Sequence, residues 1–232
     1  MKTALITGGS KGIGYGIAEA LIRENWQIAI TGRTKSVLDT AVGNLNALAP
    51  GSAMGIVCDV RDYSAQQQAV EQVTAQFGGI DLLVANAGIG FFAPIDVLDI
   101  EQWRETIDTN LTGVFYSVKA CLESLKARKG YIITISSLAG TNFFQNGSAY
   151  NASKFGVTGF TQAAMLDLRK YGIRVSTIMP GSVATEFSGH EINDADAWKI
   201  QIEDIGQMVA DLMRLNPRTL PSKIEVRPSL PR

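Results

Sequence analysis

Short runs of aliphatic and β-branched residues alternate with longer stretches of mixed apolar and polar residues along the whole chain. The runs predict strands over Thr3–Ile6, Gln27–Thr31, Met54–Cys58, Asp81–Ala85, Tyr131–Ile135 and Arg174–Met179, because a continuous apolar run suits a strand buried on both faces. The stretches between them predict helices over Gly12–Glu24, Val37–Leu48, Ala65–Phe77, Glu101–Ala127, Tyr150–Tyr171 and Ile202–Leu215. Strands that alternate with helices of this length imply βαβ units. The expected fold class is α/β, a Rossmann-like doubly wound parallel sheet with helices on both faces. A last segment, Lys223–Arg227, alternates charged and apolar residues. It predicts an edge strand, blunted by charge or meeting a partner subunit. No repeat, low-complexity tract or linker interrupts the pattern, so residues 1–232 are expected to form one domain.

Composition narrows the function. Hydrophobic residues make up 46% and charged residues 19%, enough to build a core. The 21 basic and 22 acidic residues nearly cancel, against a nucleic-acid partner, which needs a basic face. Cys58 and Cys121 have no CxxC spacing, so neither a disulfide framework nor a metal site is expected. Met1 to Thr7 runs straight into a strand with no signal-peptide pattern, and no apolar stretch reaches the ~18 residues of a membrane span. A soluble, cytoplasmic protein is expected.

After the first strand comes Thr7-Gly8-Gly9-Ser10-Lys11-Gly12-Ile13-Gly14, which opens a helix. Glycines there allow a tight turn, and the helix N-terminus favours a pyrophosphate. The second strand ends in Thr31-Gly32-Arg33-Thr34. A carboxylate at that point would bind the ribose hydroxyls of NAD; Arg33 instead offers a charged fork for a 2′-phosphate. Lys11 could add a second positive charge, so NADP(H) is the expected cofactor. Asp59-Val60 follows the third strand, where Asp59 either accepts from the adenine amino group or caps the next helix or turn. Asn86-Ala87-Gly88 ends the fourth strand with small residues that let the backbone pass close to the adenosine ribose.

Tyr150 and Lys154 are four apart at the start of a predicted helix and share a face. A nearby ammonium and an oxidised nicotinamide ring would both lower the tyrosine pKa, suiting it to proton transfer at a carbonyl or alcohol oxygen. Ser136 and Ser137 end the fifth strand, where a hydroxyl could hold the substrate oxygen. Asn110 lies inside the long predicted helix, although asparagine is a mediocre helix former. It either holds a water beside Lys154 or faces solvent.

In order along nearly the whole chain, these motifs resemble the short-chain dehydrogenase/reductase family in its single-domain form. They are the Thr-Gly-x3-Gly-x-Gly loop, Asn86-Ala87-Gly88, Asn110, a serine thirteen residues before Tyr-x3-Lys, and Pro180-Gly181. The resemblance implies strand order 3-2-1-4-5-6-7 and selects Ser137 over Ser136 as the catalytic hydroxyl. It gives Asn110, Tyr150 and Lys154 a water-linked proton relay, with Lys154 also on the nicotinamide ribose. Val183 and Thr185 match positions that meet the nicotinamide carboxamide. It further implies a homodimer or homotetramer built on the Glu101–Ala127 and Tyr150–Tyr171 helices. Two departures stand out: Ala85 replaces a frequent asparagine, and Arg227-Pro228-Ser229-Leu230-Pro231-Arg232 replaces a glycine-rich ending.

The expected activity is NADPH-dependent reduction of a small ketone to an alcohol, as in carbonyl reductases. Phe91, Phe92, Phe143, Phe144 and Phe187 lie in loops that should frame the pocket and suit a hydrophobic or planar ketone. Thr185–Lys199 is the expected lid. His190 there is expected to be a solvated loop residue, since Tyr150 already fills the acid/base role. Lys126, Arg128, Lys129, Arg169 and Lys170 gather near two helix C-termini. Dipole complementation explains them more simply than docking of an acyl carrier protein, which would make the chain a 3-oxoacyl-carrier reductase. A non-catalytic NADP(H) sensor would not need the serine, tyrosine and lysine.

Overall fold

The computed structural model describes residues 1–230, so Pro231 and Arg232 of the unusual C-terminal segment lie outside the described residues. Seven strands form a single parallel sheet: β1 (Thr3–Thr7), β2 (Gln27–Gly32), β3 (Ala53–Val57), β4 (Leu82–Ala85), β5 (Tyr131–Ile135), β6 (Arg174–Pro180) and β7 (Lys223–Val226). Their order is β3-β2-β1-β4-β5-β6-β7, as the resemblance implies. The register aligns Ile6 with Ile30 on one side and Val84 on the other, and Val84 with Ile133.

The strand residues alternate between two apolar cores. Ala4, Ile6, Ile28, Ile30, Leu82, Val84 and Ile133 face one core, closed by α1 (Gly12–Arg23), α2 (Lys35–Leu48) and α7 (Ile202–Arg214). Leu5, Ala29, Leu83, Ile132 and Val175 face the other, closed by α3 (Tyr63–Phe77), α5 (Gly113–Arg128) and α6 (Ser148–Leu168). This double burial is why the strands read as unbroken apolar runs. Only β7 keeps the alternating pattern, with Lys223 and Glu225 exposed and Ile224 and Val226 packed against the first core. No helix among the described residues is long and apolar enough to cross a membrane.

Two element boundaries differ from the expectation in ways that matter. The helix expected over Glu101–Ala127 is three segments: α4 (Ile100–Ile107), a π turn at Asp108–Thr112, and α5. Each carries a right-handed helical backbone, so the chain continues through the wider turn without breaking. Hydrophobic periodicity does not report one such turn. Helix α6 begins at Ser148 rather than Tyr150 and ends in a 3-10 turn at Arg169–Tyr171.

Helices α1 and α7 meet backbone to backbone. A Cβ on Gly16 would lie 2.5 Å from the Ile202 carbonyl oxygen, and one on Gly206 would overlap the Gly16 carbonyl. The contact fixes the start of α1, and with it the glycine-rich loop. Gly206→Ala should therefore destabilise the fold by about 1–3 kcal/mol through overpacking, or about 2–4 °C of Tm per kcal/mol. Gly43→Ala in α2 meets nothing within 4 Å and should raise stability by up to ~1 kcal/mol. Thermal unfolding of the two variants checks this, and equal shifts would contradict the packing account.

Candidate active site

The ends of the six strands from β3 to β6 open on the same edge of the sheet, where a doubly wound fold places its ligands. They border a cleft of about 780 Å³. Gly8, Ser10, Lys11, Gly12 and Ile13 line it from the loop after β1. Arg33 and Thr34 line it after β2, Asp59 and Val60 after β3, and Asn86, Ala87 and Gly88 after β4. Ser137, Tyr150, Lys154, Pro180, Gly181, Val183 and Thr185 complete the wall. Of the residues the sequence singled out for cofactor or chemistry, only Gly14 and Asn110 do not line the cleft.

Gly14 is buried beneath the loop. A Cβ there would come within 2.6 Å of Asn86 Nδ2, so the absence of a side chain lets the loop seat on β4. That Asn86 amide donates to the carbonyls of Thr7 (2.9 Å) and Gly8 (3.1 Å). In return Thr7 Oγ1 accepts from the backbone N–H groups of Asn86 (3.0 Å) and Ala87 (3.1 Å). The reciprocal clamp locks the ends of β1 and β4 together, and Thr7 and Asn86 carry it. Gly8 turns with φ +64, a left-handed conformation that glycine adopts without a Cβ penalty. The N-cap of α1, Lys11, makes no side-chain cap. The first-turn N–H groups are thus left for an anion, and a pyrophosphate fits there.

Charges gather at the β2–β3 end. Arg33 lies 3.7 Å from Glu105, and Lys11 lies 3.3 Å from Glu186. Arg61, which the sequence reading passed over, reaches Glu105 at 3.5 Å and holds Asp59 at 2.6 Å. The guanidinium of Arg61 keeps the Asp59 carboxyl below the usual carboxylate range. The capping alternative for Asp59 is resolved in part. Asp62 caps α3, through Ser64 and Ala65 N–H, while Asp59 accepts the Arg61 N–H in a turn and also faces the cleft.

The other end, above β4 and β5, is desolvated. Ser136 is buried and spends its hydroxyl on the Lys154 carbonyl (3.1 Å) and Thr158 (3.0 Å). Ser137 stays partly open to the cleft, with its oxygen accepting from Ala139 N–H at 3.1 Å. Lys154 is only 5% exposed, and its amine donates to the Ile135 carbonyl at 2.8 Å. Burial lowers its pKa to about 8. In the protein alone, the Tyr150 shift runs opposite to the one expected beside an oxidised nicotinamide ring. Burial pushes its phenol up to about 12, while the neighbouring Ser137 hydroxyl pulls weakly the other way. The free protein therefore holds a neutral phenol; the Lys154 amine, 5.6 Å from the ring centroid, is itself desolvated and does not reverse the effect.

Asn110 is fully buried, which rules out a solvent-facing role. Its amide pairs with both backbone groups of Ile89, accepting from N–H and donating to C=O at 2.8 Å each, and donates to Ser153 Oγ at 3.0 Å. It thereby ties the π turn to the loop after β4 and to α6. Gly88 sits against both Asn110 Oδ1 and Lys154 Nζ, so the two side chains share a wall. Such widened turns recur at functional sites.

Aromatic side chains roof the phenol. The rings of Phe92 and Phe187 lie 5.4 Å and 5.7 Å from that of Tyr150, and Phe144 lies 5.8 Å from Phe92. Phe143 is 85% exposed and is not part of this group. The segment over the cleft is organised rather than loose: Ser188 donates to the Gly90 carbonyl (2.8 Å), and Asp196 is buried between His190 and Lys199 at 2.6 Å each. These two partners hold the Asp196 carboxyl far below its ordinary pKa. His190 is exposed, as expected of a lone loop histidine, and its ring also hydrogen-bonds the Asp196 carboxylate. The sequence offered no sign of this pairing beyond the acidic run that follows.

Comparisons with known proteins agree with this geometry. The family model for short chain dehydrogenase matches residues 2–196. The trans-4-hydroxycyclohexanecarboxylate dehydrogenase of Sinomonas cyclohexanicum is 37% identical over 189 residues, 79% of this chain and 73% of its own length. An alcohol dehydrogenase from the archaeon Thermococcus sibiricus, solved with 5-hydroxy-NADP, superposes with TM-score 0.94 at 28% identity, covering 100% of this chain and 98% of that one. An actinorhodin polyketide ketoreductase variant, solved with NADPH, superposes with TM-score 0.89 at 30% identity, covering 99% and 97%. The chain belongs to the short chain dehydrogenase family of oxidoreductases.

Proposed function

We propose that this chain is an NADP(H)-dependent reductase that converts a ketone to its alcohol, reversibly, with cofactor and catalytic groups in one domain. The observation that carries the reading is the meeting of the Ser137 and Tyr150 hydroxyl groups on one cleft, with Lys154 buried behind them. The NADP-type ligands of the archaeal alcohol dehydrogenase and the polyketide ketoreductase support the cofactor by similarity. Lys11 and Arg33 lining the cleft support the 2′-phosphate form. A bound reduced nicotinamide would supply the hydride, held by the glycine-rich loop, Val183, Thr185 and Lys154.

The chain's own residues then handle the oxygen and its proton. Ser137 Oγ donates to the substrate oxygen and fixes it. Tyr150 gives its phenol proton to that oxygen as the carbon is reduced. A phenol at about 12 keeps that proton at neutral pH, so the free enzyme is poised for reduction. Asn110 Oδ1 accepts one protein hydrogen bond and keeps capacity for a water that links Lys154 to solvent and restores the proton. The apolar roof of Phe92 and Phe187 favours a hydrophobic or planar ketone and keeps bulk water from the phenol.

The carrier-protein alternative draws on the basic cluster, and two of its five members already have local work. Lys126 pairs with Glu123 at 2.8 Å, and Arg128 approaches Asp81 at 3.9 Å and bonds the Gly78 carbonyl. Acetoacetyl thioester belongs in the assay panel as the probe of that reading. A sensor without chemistry is disfavoured by the retained hydroxyls.

Three outcomes test the proposal. Tyr150→Phe should lower ketone turnover by about 10²–10⁴-fold with dinucleotide affinity nearly unchanged; NADPH absorbance and calorimetric titration read the two, and intact turnover would sink the mechanism. The reductive kcat/KM should be flat below pH 8 and fall as Lys154 loses its proton near its pKa of about 8. Lys154→Arg should abolish that inflection in the residual activity, since a guanidinium stays charged; an unchanged inflection in the pH profile would assign it to another group. Phe187→Ala should raise KM for an aryl ketone by about tenfold, the worth of ~1.4 kcal/mol of lost contact, and change a small aliphatic ketone far less.

A further inference from the structure

We infer that Glu105 and Glu186 are resident competitors of the cofactor's 2′-phosphate, and that they narrow the enzyme's preference for NADP(H) over NAD(H). The inference rests on the proposed dinucleotide cleft and goes beyond it by naming what limits the selectivity. Three cations stand around the end of the cleft below β2 and β3: Lys11, Arg33 and Arg61. Three carboxylates face them. Glu186 holds Lys11 at 3.3 Å, Glu105 lies 3.7 Å from Arg33 and 3.5 Å from Arg61, and Asp59 holds Arg61 at 2.6 Å. Each cation is paired with a carboxylate, and Asp108 adds a further negative charge near Arg61, so the cradle has no net positive charge.

A phosphomonoester carries about −1.5 to −2 charges at neutral pH. Entering this cradle, it meets no uncompensated cation and must exchange one ion pair for another. Lys11 has to leave Glu186, and Arg33 has to turn from Glu105 while that carboxylate remains nearby as a like charge. A dinucleotide without the 2′-phosphate pays none of this. All four side chains are partly exposed, from 34% for Glu105 to 64% for Lys11, so each exchange is modest and screened by salt. The two acids also come from different places. Glu105 projects from α4, whereas Glu186 belongs to the segment that covers the cleft. Binding of the phosphate to Lys11 thus frees one tie between that segment and the glycine-rich loop.

The test is calorimetric titration of the unliganded protein with NADPH and with NADH at one fixed salt concentration, for the natural chain, Glu105→Gln and Glu186→Gln. Removing either carboxylate should tighten NADPH by about three- to tenfold and leave NADH within twofold. The same titrations with 2′,5′-ADP and 5′-AMP should show the same selective gain, with no nicotinamide involved. NADPH affinity that does not change in the variants, or an equal gain for both dinucleotides, would overturn the inference while leaving the proposed function standing. If the natural chain binds neither dinucleotide, the proposed function falls with it.

Discussion

The burial of one amine organises this molecule. Lys154 is 5% exposed and has a single protein hydrogen bond, to the Ile135 carbonyl at the end of β5. A cation taken from water without a paired carboxylate is costly, and the cost appears here as a pKa lowered to about 8. Holding the amine there requires several elements at once: β5 to aim Ile135, α6 to deliver the lysine, Gly88 to leave room, and the π turn to bring Asn110 alongside. The same enclosure raises the Tyr150 phenol to about 12. One packing arrangement thus makes a reluctant acid and a reluctant cation into neighbours, which is a sensible resting state for a group that must keep a proton until a substrate arrives.

The two ends of the cleft use electrostatics differently. Around Arg33 the charges are numerous, exposed and mutually neutralising, so their energies are small and salt-dependent. Around Tyr150 the charges are few, and the enclosing groups are aromatic rings and backbone carbonyls, so each proton position matters more. The segment over the cleft touches both ends. Glu186 reaches Lys11, Phe187 covers Tyr150, and the buried Asp196 ties His190 to Lys199 further along. The covering segment thus links the two ends of the cleft.

Much of this was legible in the sequence, for identifiable reasons. Unbroken apolar runs announced a sheet covered on both faces, and the ordered motifs placed Ser137, Tyr150 and Lys154 on one edge of it. What escaped depended on contacts between distant residues. Periodicity could not show the π turn at Asn110, because the chain stays helical through it. The ion pairs of Glu105 and Glu186 join positions far apart in sequence, and Arg61, two residues after Asp59, falls in none of the motifs. The phenol's raised pKa in the protein alone comes from burial of the ring, which residue spacing does not report. The close packing of Gly14 on Asn86 was likewise not visible in the loop motif.

The central claim concerns the protons held by the unliganded protein. It is tested most directly by NMR titration, with the Tyr150 ring carbons and the Lys154 ε-carbon labelled and assigned through Tyr150→Phe and Lys154→Arg. The account predicts that Tyr150 shows no ionisation below pH 10 and that Lys154 titrates near 8. A Tyr150 phenol that ionises near neutrality, or a Lys154 that titrates at the ordinary value of a solvated lysine, would contradict it.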